Sequence, residues 1–587
     1  MAPKSSRKSA AKPKTPKIDP NSSFTPEAFE KELKALASKA KDETWGKFLK
    51  EQASAYFRAA ALLAVAAVYS NVSQLALSPV YGSIPSSIWH PHVVMVGCFV
   101  GWASNLHLGR LLPVKLIYLL PIIAINIPLV QFYLYKVSTS LTAYWGPLIT
   151  EALTLLPLLV ITTSCTANYL DNADFSKLPR WLADATPGLI SWAFFKLVET
   201  GSGRLVEQHI GKSFFQTRLG LEIILGASSA LLAPSKLLVH AMPGILHTAA
   251  LNTHVYSPIA TATLNRTLNL EGWSLIDRKE SLTGYISVVD SHAQGFRVLR
   301  CDHSLLGGEW IKYQGPKVAE PIYSVFAMLE AVRLVEGDNR VADHDANALV
   351  VGLGVGITPA ALVAHGIDTT VVEIDPVVHE FASKYFSLPS NHTAVIEDAV
   401  GYTDRLASNP DEKRFDYIVH DVFTGGAEPI ALFTLEFLQN LDALLKPNGV
   451  IAINYAGDFL LPPPKIVVQT IRQVFPACRI FREHPRDEDN IEKEKRDFTN
   501  MVIFCTKTGD KVTFRKPTKA DMLESPSRDA FLLPKHEVFD SDFYEGEDEG
   551  ILTQNDTQKL VKYHQKSAVG HWAVMRTVLP DLIWNNW

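Results

Sequence analysis

Residues 348–376 read ALVVGLGVGITPAALVAHGIDTTVVEIDP. The apolar run 348–351 has the length and the β-branched content of a buried strand, and it leads straight into Gly352, Gly354 and Gly356. A helix is expected from about 359 to 365. A second strand, 369–372, ends at Glu373, close to twenty residues after the glycines. Glycines let the first turn approach a ligand closely, and an acid closing the second strand accepts hydrogen bonds from ribose hydroxyls. Glycines at this spacing say little alone. Between a strand and a helix, with Glu373 at that distance, they point to an adenosine-containing ligand.

The alternation continues outward. A helix is expected over 377–385, a strand over 393–396 that runs into Asp398 and Ala399, a strand over 417–419 that runs into Asp421, a helix over 433–445 and a strand over 449–454. Ligands in open α/β sheets bind at the carboxyl ends of the strands, so the glycines, Glu373, Asp398 and Asp421 should share one rim. Upstream, 273–276, 285–289 and 296–299 read as strands of a small β-meander, followed by helical spacing over 321–335. Downstream come a Pro-rich loop at 459–464, a solvated charge run at 485–496, a last strand at 500–506 and an exposed acidic loop at 540–549. The closing LPDLIWNNW is expected to pack against the α/β domain.

The whole chain has 587 residues, 47% hydrophobic and 20% charged, with a net charge of -5. That length is a prior for about three to four domains, and the near-neutral balance argues against nucleic acid as the main partner. The charge is unevenly spread. No Asp, Glu, Lys or Arg lies between Arg58 and Arg110, where a uniform distribution would place about ten. The uncharged runs 59–77, 93–108, 116–135 and 146–166 are long enough to be membrane spans, and 185–198 and 219–234 are weaker candidates. Four or six spans would both return the chain to its starting side. Lys and Arg positions after the second and fourth runs (Arg110, Lys115, Lys177, Arg180) then place the N terminus and the α/β domain in the cytosol. Glu151, inside the fourth run, should face the bundle interior, with Lys136 as a candidate partner. Five scattered cysteines, without CxxC pairs or zinc spacing, read as reduced and unpaired.

The expected organisation is a basic tail (1–25), an amphipathic helix (26–58), an α-helical membrane bundle (59–240), a small β-domain (258–318), a doubly wound α/β domain (319–535) and a C-terminal extension (536–587).

The segments VVGLGVG (350–356), VVEIDP (371–376), IEDA (396–399), FDYIVHDVF (415–423) and LKPNGVIAINY (445–455) resemble the class I S-adenosylmethionine-dependent methyltransferase fold, most closely its spermidine synthase branch. IDRKESLTGYISVVD (276–290) and VLRCDHSLLGG (298–308) look like that branch's N-terminal β-domain. The resemblance implies that Gly352, Gly354 and Gly356 pass the tail of the donor, that Glu373 holds its ribose and that Asp398 with Ala399 contacts the adenine. It makes Asp421 the general base and needs no metal. Asp302, Glu320 and Glu428 are the acids left to hold a cationic substrate.

Val355 stands where that branch has the Asp that selects decarboxylated S-adenosylmethionine, and Thr424 replaces a second acid of its catalytic loop. The Tyr-Gln pair of the branch's β-domain is replaced by Thr283 and Gly284. Methyl transfer from intact S-adenosylmethionine is therefore expected ahead of aminopropyl transfer from the decarboxylated donor to a polyamine. A nucleotide-binding membrane scaffold without turnover is the third reading. The acceptor is expected to be a small amine or a protein, with a homodimer left open.

Overall fold

The computed structural model describes residues 26–587 except 172, 174–178, 314–317, 338, 339, 423–425, 510 and 548. The basic tail, Lys177 and Thr424 lie outside the described residues.

Among the described residues, twelve strands form two sheets. The first is an antiparallel meander of β1 (Trp273–Ser281), β2 (Gly284–Ser291), β3 (Phe296–Cys301) and β4 (Ser304–Trp310) in chain order. The expected meander thus has a fourth strand, unmarked because its two glycines, Gly307 and Gly308, read as a turn. The second sheet holds β5 (Asn347–Val351), β6 (Asp368–Glu373), β7 (Thr393–Ile396), β8 (Phe415–His420), β9 (Leu445–Asp458), β10 (Ala477–Arg482), β11 (Phe498–Thr506) and β12 (His536–Val538). Its order is β12-β10-β11-β9-β8-β5-β6-β7. The run from β9 to β7 is parallel, while β11 pairs antiparallel with both β9 and β10. This is a Rossmann-like class I methyltransferase fold, a doubly wound sheet that turns mixed at one edge. Val350, Val351, Ile418, Val419 and Ile451 to Ile453 are buried because helices cover both faces of the central strands.

The segment read as a Pro-rich loop begins a helix, Pro462–Val474. Three prolines at its start cost nothing, because N–H groups of a first turn have no helical partner. The cysteine expectation is corrected as well. Cys478 on β10 and Cys505 on β11 are directly paired across antiparallel strands, 4.2 Å apart at Cα, and form a disulfide. Their separation of 27 residues conceals this register in the sequence.

N-terminal to the β-meander lies a helical bundle. Among the described residues, three helices are long and apolar enough to cross a membrane, by length and composition: Gly46–Tyr81, Leu116–Tyr135 and Ser138–Leu170. The first is the end of a continuous helix, Pro26–Tyr81. The run 93–108 falls short because the helix breaks at Ser104, leaving His90–Ala103 and Asn105–Leu111. The weaker runs lie in the helices Arg180–His209 and Arg218–Leu232. Glu151 is fully buried, as its position demanded, but its partner is not Lys136. Glu151 Oε1 meets His90 Nδ1 at 2.6 Å, and Lys136 lies over the Phe132 ring instead.

The C-terminal segment ties the bundle to the β-meander. The Arg300 guanidinium, on β3, donates to the carbonyls of Pro79 in the bundle and of Ile583, Trp584 and Asn586 in the closing segment, three of these bonds at 2.6 to 2.7 Å. Trp572 Nε1 donates to Val80 O, and Arg218 of the bundle pairs with Glu280 on β1.

Candidate active site

The loop after β5 holds Gly352, Gly354 and Gly356 at φ of 88°, 56° and 85°, a region that side-chain-bearing residues avoid. Space is lacking as well. A Cβ on Gly352 would stand 2.2 Å from Asp421 O, and one on Gly354 would stand 2.4 Å from Leu306 O. The bare loop therefore lets a ligand reach backbone at the carboxyl ends of the strands.

Glu373, at the end of β6, reaches across to this loop. Its carboxylate accepts from Leu353 N at 3.0 Å and from Asp375 N at 2.9 Å. Burial pushes its pKa up to about 7 against the pull of these two amides. Each oxygen keeps a lone pair for a ribose hydroxyl. Asp375 in turn accepts from Ser281, Thr283 N and Thr283 Oγ1, which locks the β1–β2 turn onto the α/β domain. Thr283 thus serves the junction.

Asp421 follows β8, and Asn454 lies on the neighbouring strand β9. The pairing of His420 with Ile453 makes them adjacent, and Asn454 Nδ2 donates to Asp421 Oδ1 at 2.8 Å. Burial raises the Asp421 pKa to about 6, and the Asn454 hydrogen bond works against that rise. Such a carboxyl group is ionised at neutral pH yet basic enough to take a proton.

One cavity of about 740 Å³ joins these parts. Gly352, Gly354, Glu373, Asp421 and Asn454 line it, with Tyr323, Phe326, Phe498 and Phe531 as aromatic walls. Its far rim carries Ser83 from the turn after the long bundle helix and His571 from the C-terminal helix Gln558–Val578, so all three parts of the chain shape it. The bare glycine cradle, the buried carboxylate with free lone pairs and this volume fit an S-adenosyl donor beside an acceptor side chain.

The other expected site residues are placed differently. Gly356 ends the loop and starts the helix Ile357–Ala364, outside the cavity wall. Asp398 caps the helix Ala399–Ala407 by accepting from Val400 N, and it lies with buried Ala399 at the end of the edge strand β7. Asp302 reaches the cavity wall, but its carboxylate accepts from Tyr285 N at 2.8 Å and faces Arg218 at 3.5 Å. Glu320 and Glu428 do not line the cavity. Glu320 accepts from Ser527 N, and Glu428 lies buried between Tyr455 and His564. Val355 is buried against Ile286 and Phe381 under the β-meander. Sequence reasoning missed Asn454, Tyr323 and Glu483, the last of which accepts from Ser324 and from Val325 N at the cavity wall.

Comparison with known proteins gives the same assignment. The spermine/spermidine synthase domain matches residues 334–482. The N-terminal histidine N-methyltransferase of Emericella nidulans is 46% identical over 544 residues, covering 90% of this chain and 97% of that protein. A polyamine aminopropyltransferase of Vibrio vulnificus is 36% identical over 110 residues, or 18% of this chain and 36% of the relative. Among solved structures, a probable spermidine synthase from Corynebacterium glutamicum has a TM-score of 0.34 at 15% identity, covering 49% of this chain and 94% of that one. The chain therefore belongs to the family of the Emericella nidulans N-terminal histidine N-methyltransferase and is an S-adenosylmethionine-dependent transferase.

Proposed function

We propose that this protein methylates a nitrogen of an amino-terminal histidine, with S-adenosylmethionine as donor and Asp421 as proton acceptor. The observation that carries this reading is the hydrogen bond between half-buried Asp421 and buried Asn454, which opens into the cavity that also holds the glycine loop and Glu373. The histidine acceptor comes from the name of the 46% identical relative.

The bound donor supplies a methyl group made electrophilic by its sulfonium. The chain's own residues then have three tasks. The bare glycine loop and Glu373 hold the donor. The aromatic walls exclude water and offer faces to an imidazole ring. Asp421 acts on the proton: a neutral imidazole has one N–H and one free lone pair, so a carboxylate on the N–H leaves the other nitrogen to attack and takes the proton once the ring is methylated.

Three features favour methyl over aminopropyl transfer. Asp302 is already engaged by Arg218, Glu320 and Glu428 lie off the cavity, and Val355 offers no carboxylate to an ammonium group. Beside Glu373 of the donor site, a polycation would meet Asp421 and Glu483 on the cavity wall, and Glu483 is already engaged by Ser324 and Val325 N. Titration calorimetry of the full chain in detergent should show S-adenosylmethionine binding more tightly than its decarboxylated form. The opposite order would overturn the choice of donor.

The reading includes a membrane anchor. Phe99, Leu189, Leu197 and Leu231 are 62% to 83% exposed on the outside of the bundle, a surface suited to lipid, and Glu151, His90 and Ser70 are turned inward. Carbonate extraction of membranes tests this: the protein should stay in the pellet, and its release would remove the anchor.

A further inference from the structure

The long helix fixes a direction. Arg58, near the start of its uncharged part, lies against Tyr169 at the end of the helix Leu155–Leu170. Pro79 and Val80, at its other end, touch Arg300 of the β-meander and Trp572 of the C-terminal helix. The 21 residues from Arg58 to Pro79 rise about 30 Å, the thickness of a bilayer's hydrocarbon core. The same polarity recurs elsewhere. Ser138, at the start of the helix Ser138–Leu153, bonds Asn585, and Arg218, at the start of Arg218–Leu232, pairs with Glu280. These ends face the β-meander and the closing segment, which carry the α/β domain on the same side. Among the described residues, Lys47, Lys50, Arg58, Arg110, Lys115 and Arg180 lie toward the end of the bundle away from these contacts, and Lys136, Arg204, Lys212 and Arg218 toward the end that makes them, so the larger share of the positive charge is at the Arg58 end.

A second observation is independent of the bundle. The disulfide of Cys478 and Cys505 lies in the α/β sheet, with Cys505 fully buried. Such bonds persist in oxidising compartments and are rare in the cytosol. The positive-inside rule puts the Arg58 end in the cytosol, and the helix direction then puts the disulfide on the other side.

A third observation concerns N-x-Ser/Thr sequences. Asn391-His392-Thr393 and Asn555-Asp556-Thr557 lie in the α/β domain and the C-terminal extension, with both asparagines exposed outside helices and strands. Asn265-Arg266-Thr267 is different, because its amide is taken up by Leu275 N and O.

We propose that the catalytic domain lies across the membrane from the basic end of the long helix, in an oxidising compartment, and that Asn391 and Asn555 there accept N-linked glycans. In that step the Asn amide nitrogen forms a bond to the anomeric carbon of a lipid-pyrophosphate-linked oligosaccharide. The carbon–oxygen bond to pyrophosphate breaks with its electron pair on the pyrophosphate, and the amide gives up one proton. If the proposed function holds, the acceptor is also made there. Translocated chains begin with a leader, and hydrolysis of the peptide bond before a histidine frees its amino group.

The test uses the full chain, tagged at its N terminus and expressed in cells with an N-glycosylating secretory pathway. Protease added to sealed microsomes should remove the tag and leave the catalytic domain intact until detergent is added. The protected fragment should shift on endoglycosidase treatment in the parent and not in the N391Q/N555Q variant. Digestion of the catalytic domain in sealed vesicles would overturn the topology, and a protected fragment without a shift would overturn the glycan sites. Neither readout depends on activity, so failure here is distinct from failure of the proposed function.

Discussion

Asn454 donates a 2.8 Å hydrogen bond to Asp421, and the two residues occupy adjacent strands at the rim of the ligand cavity. Because that bond holds the Asp421 pKa down against burial, its removal lets the pKa rise further. In the parent, kcat/KM should fall as pH drops through about 6, the value at which Asp421 takes up a proton. In Asn454→Ala the acid limb should move to higher pH. A limb that stays in place would mean that Asn454 does not set the protonation of the base.

Asp421→Asn keeps the shape of the side chain and removes the proton acceptor. Donor affinity should stay within about twofold, while turnover should drop by about a hundredfold or more. Calorimetry and single-turnover methyl transfer check the two halves separately.

Glu373→Ala removes both carboxylate oxygens from the donor site and from the amides of Leu353 and Asp375. Donor binding should weaken by about tenfold or more, at a cost of about 1.5 to 3 kcal/mol for lost charge-assisted hydrogen bonds.

The raised pKa of Glu373 carries a stability signature with a definite sign. Its folded value of about 7 lies above the ordinary 4.5, so the folded state binds the proton more tightly. The contribution is present at low pH and is lost as pH rises from about 4.5 to 7, for a total of about 3 kcal/mol. The ligand-free thermal midpoint should therefore decline over that window less steeply in Glu373→Gln than in the parent.

Arg300 has no conservative replacement. Its planar fork serves carbonyls of the bundle and of the closing segment at once, and an ammonium group cannot span them. Arg300→Lys should lower stability by about 3 kcal/mol and expose the segment after Val578 to proteolysis, seen as early loss of a C-terminal tag.

The core of the α/β domain is legible because the strands ending at Val351, Glu373, Ile396 and His420 are apolar runs that lead into a glycine or an acid, the pattern that two helical layers impose. What was missed depends on strand adjacency. Asn454 sits in LKPNGVIAINY without a motif, and only the register of β9 against β8 places it beside Asp421. The strand β10 reads ACRIFR, and its arginines obscured it; Arg479 and Arg482 are partnered by Glu537 and Asp497. The disulfide was hidden for the same reason. Glu320 and Glu428 fit by chemistry and proximity in the chain, but the fold buries both behind the cavity wall, Glu320 on Ser527 N and Glu428 on the Tyr455 hydroxyl.

The measurement that bears most directly on the central claim is a product assay. The purified full chain, in lipid nanodiscs, is incubated with methyl-labelled S-adenosylmethionine and a peptide beginning with histidine, and in parallel with decarboxylated S-adenosylmethionine and putrescine. One methyl group on the amino-terminal histidine, none on the same peptide with a preceding alanine, and formation slowed about a hundredfold or more with Asp421→Asn is the predicted result. An aminopropylated amine together with an unmodified peptide would contradict it.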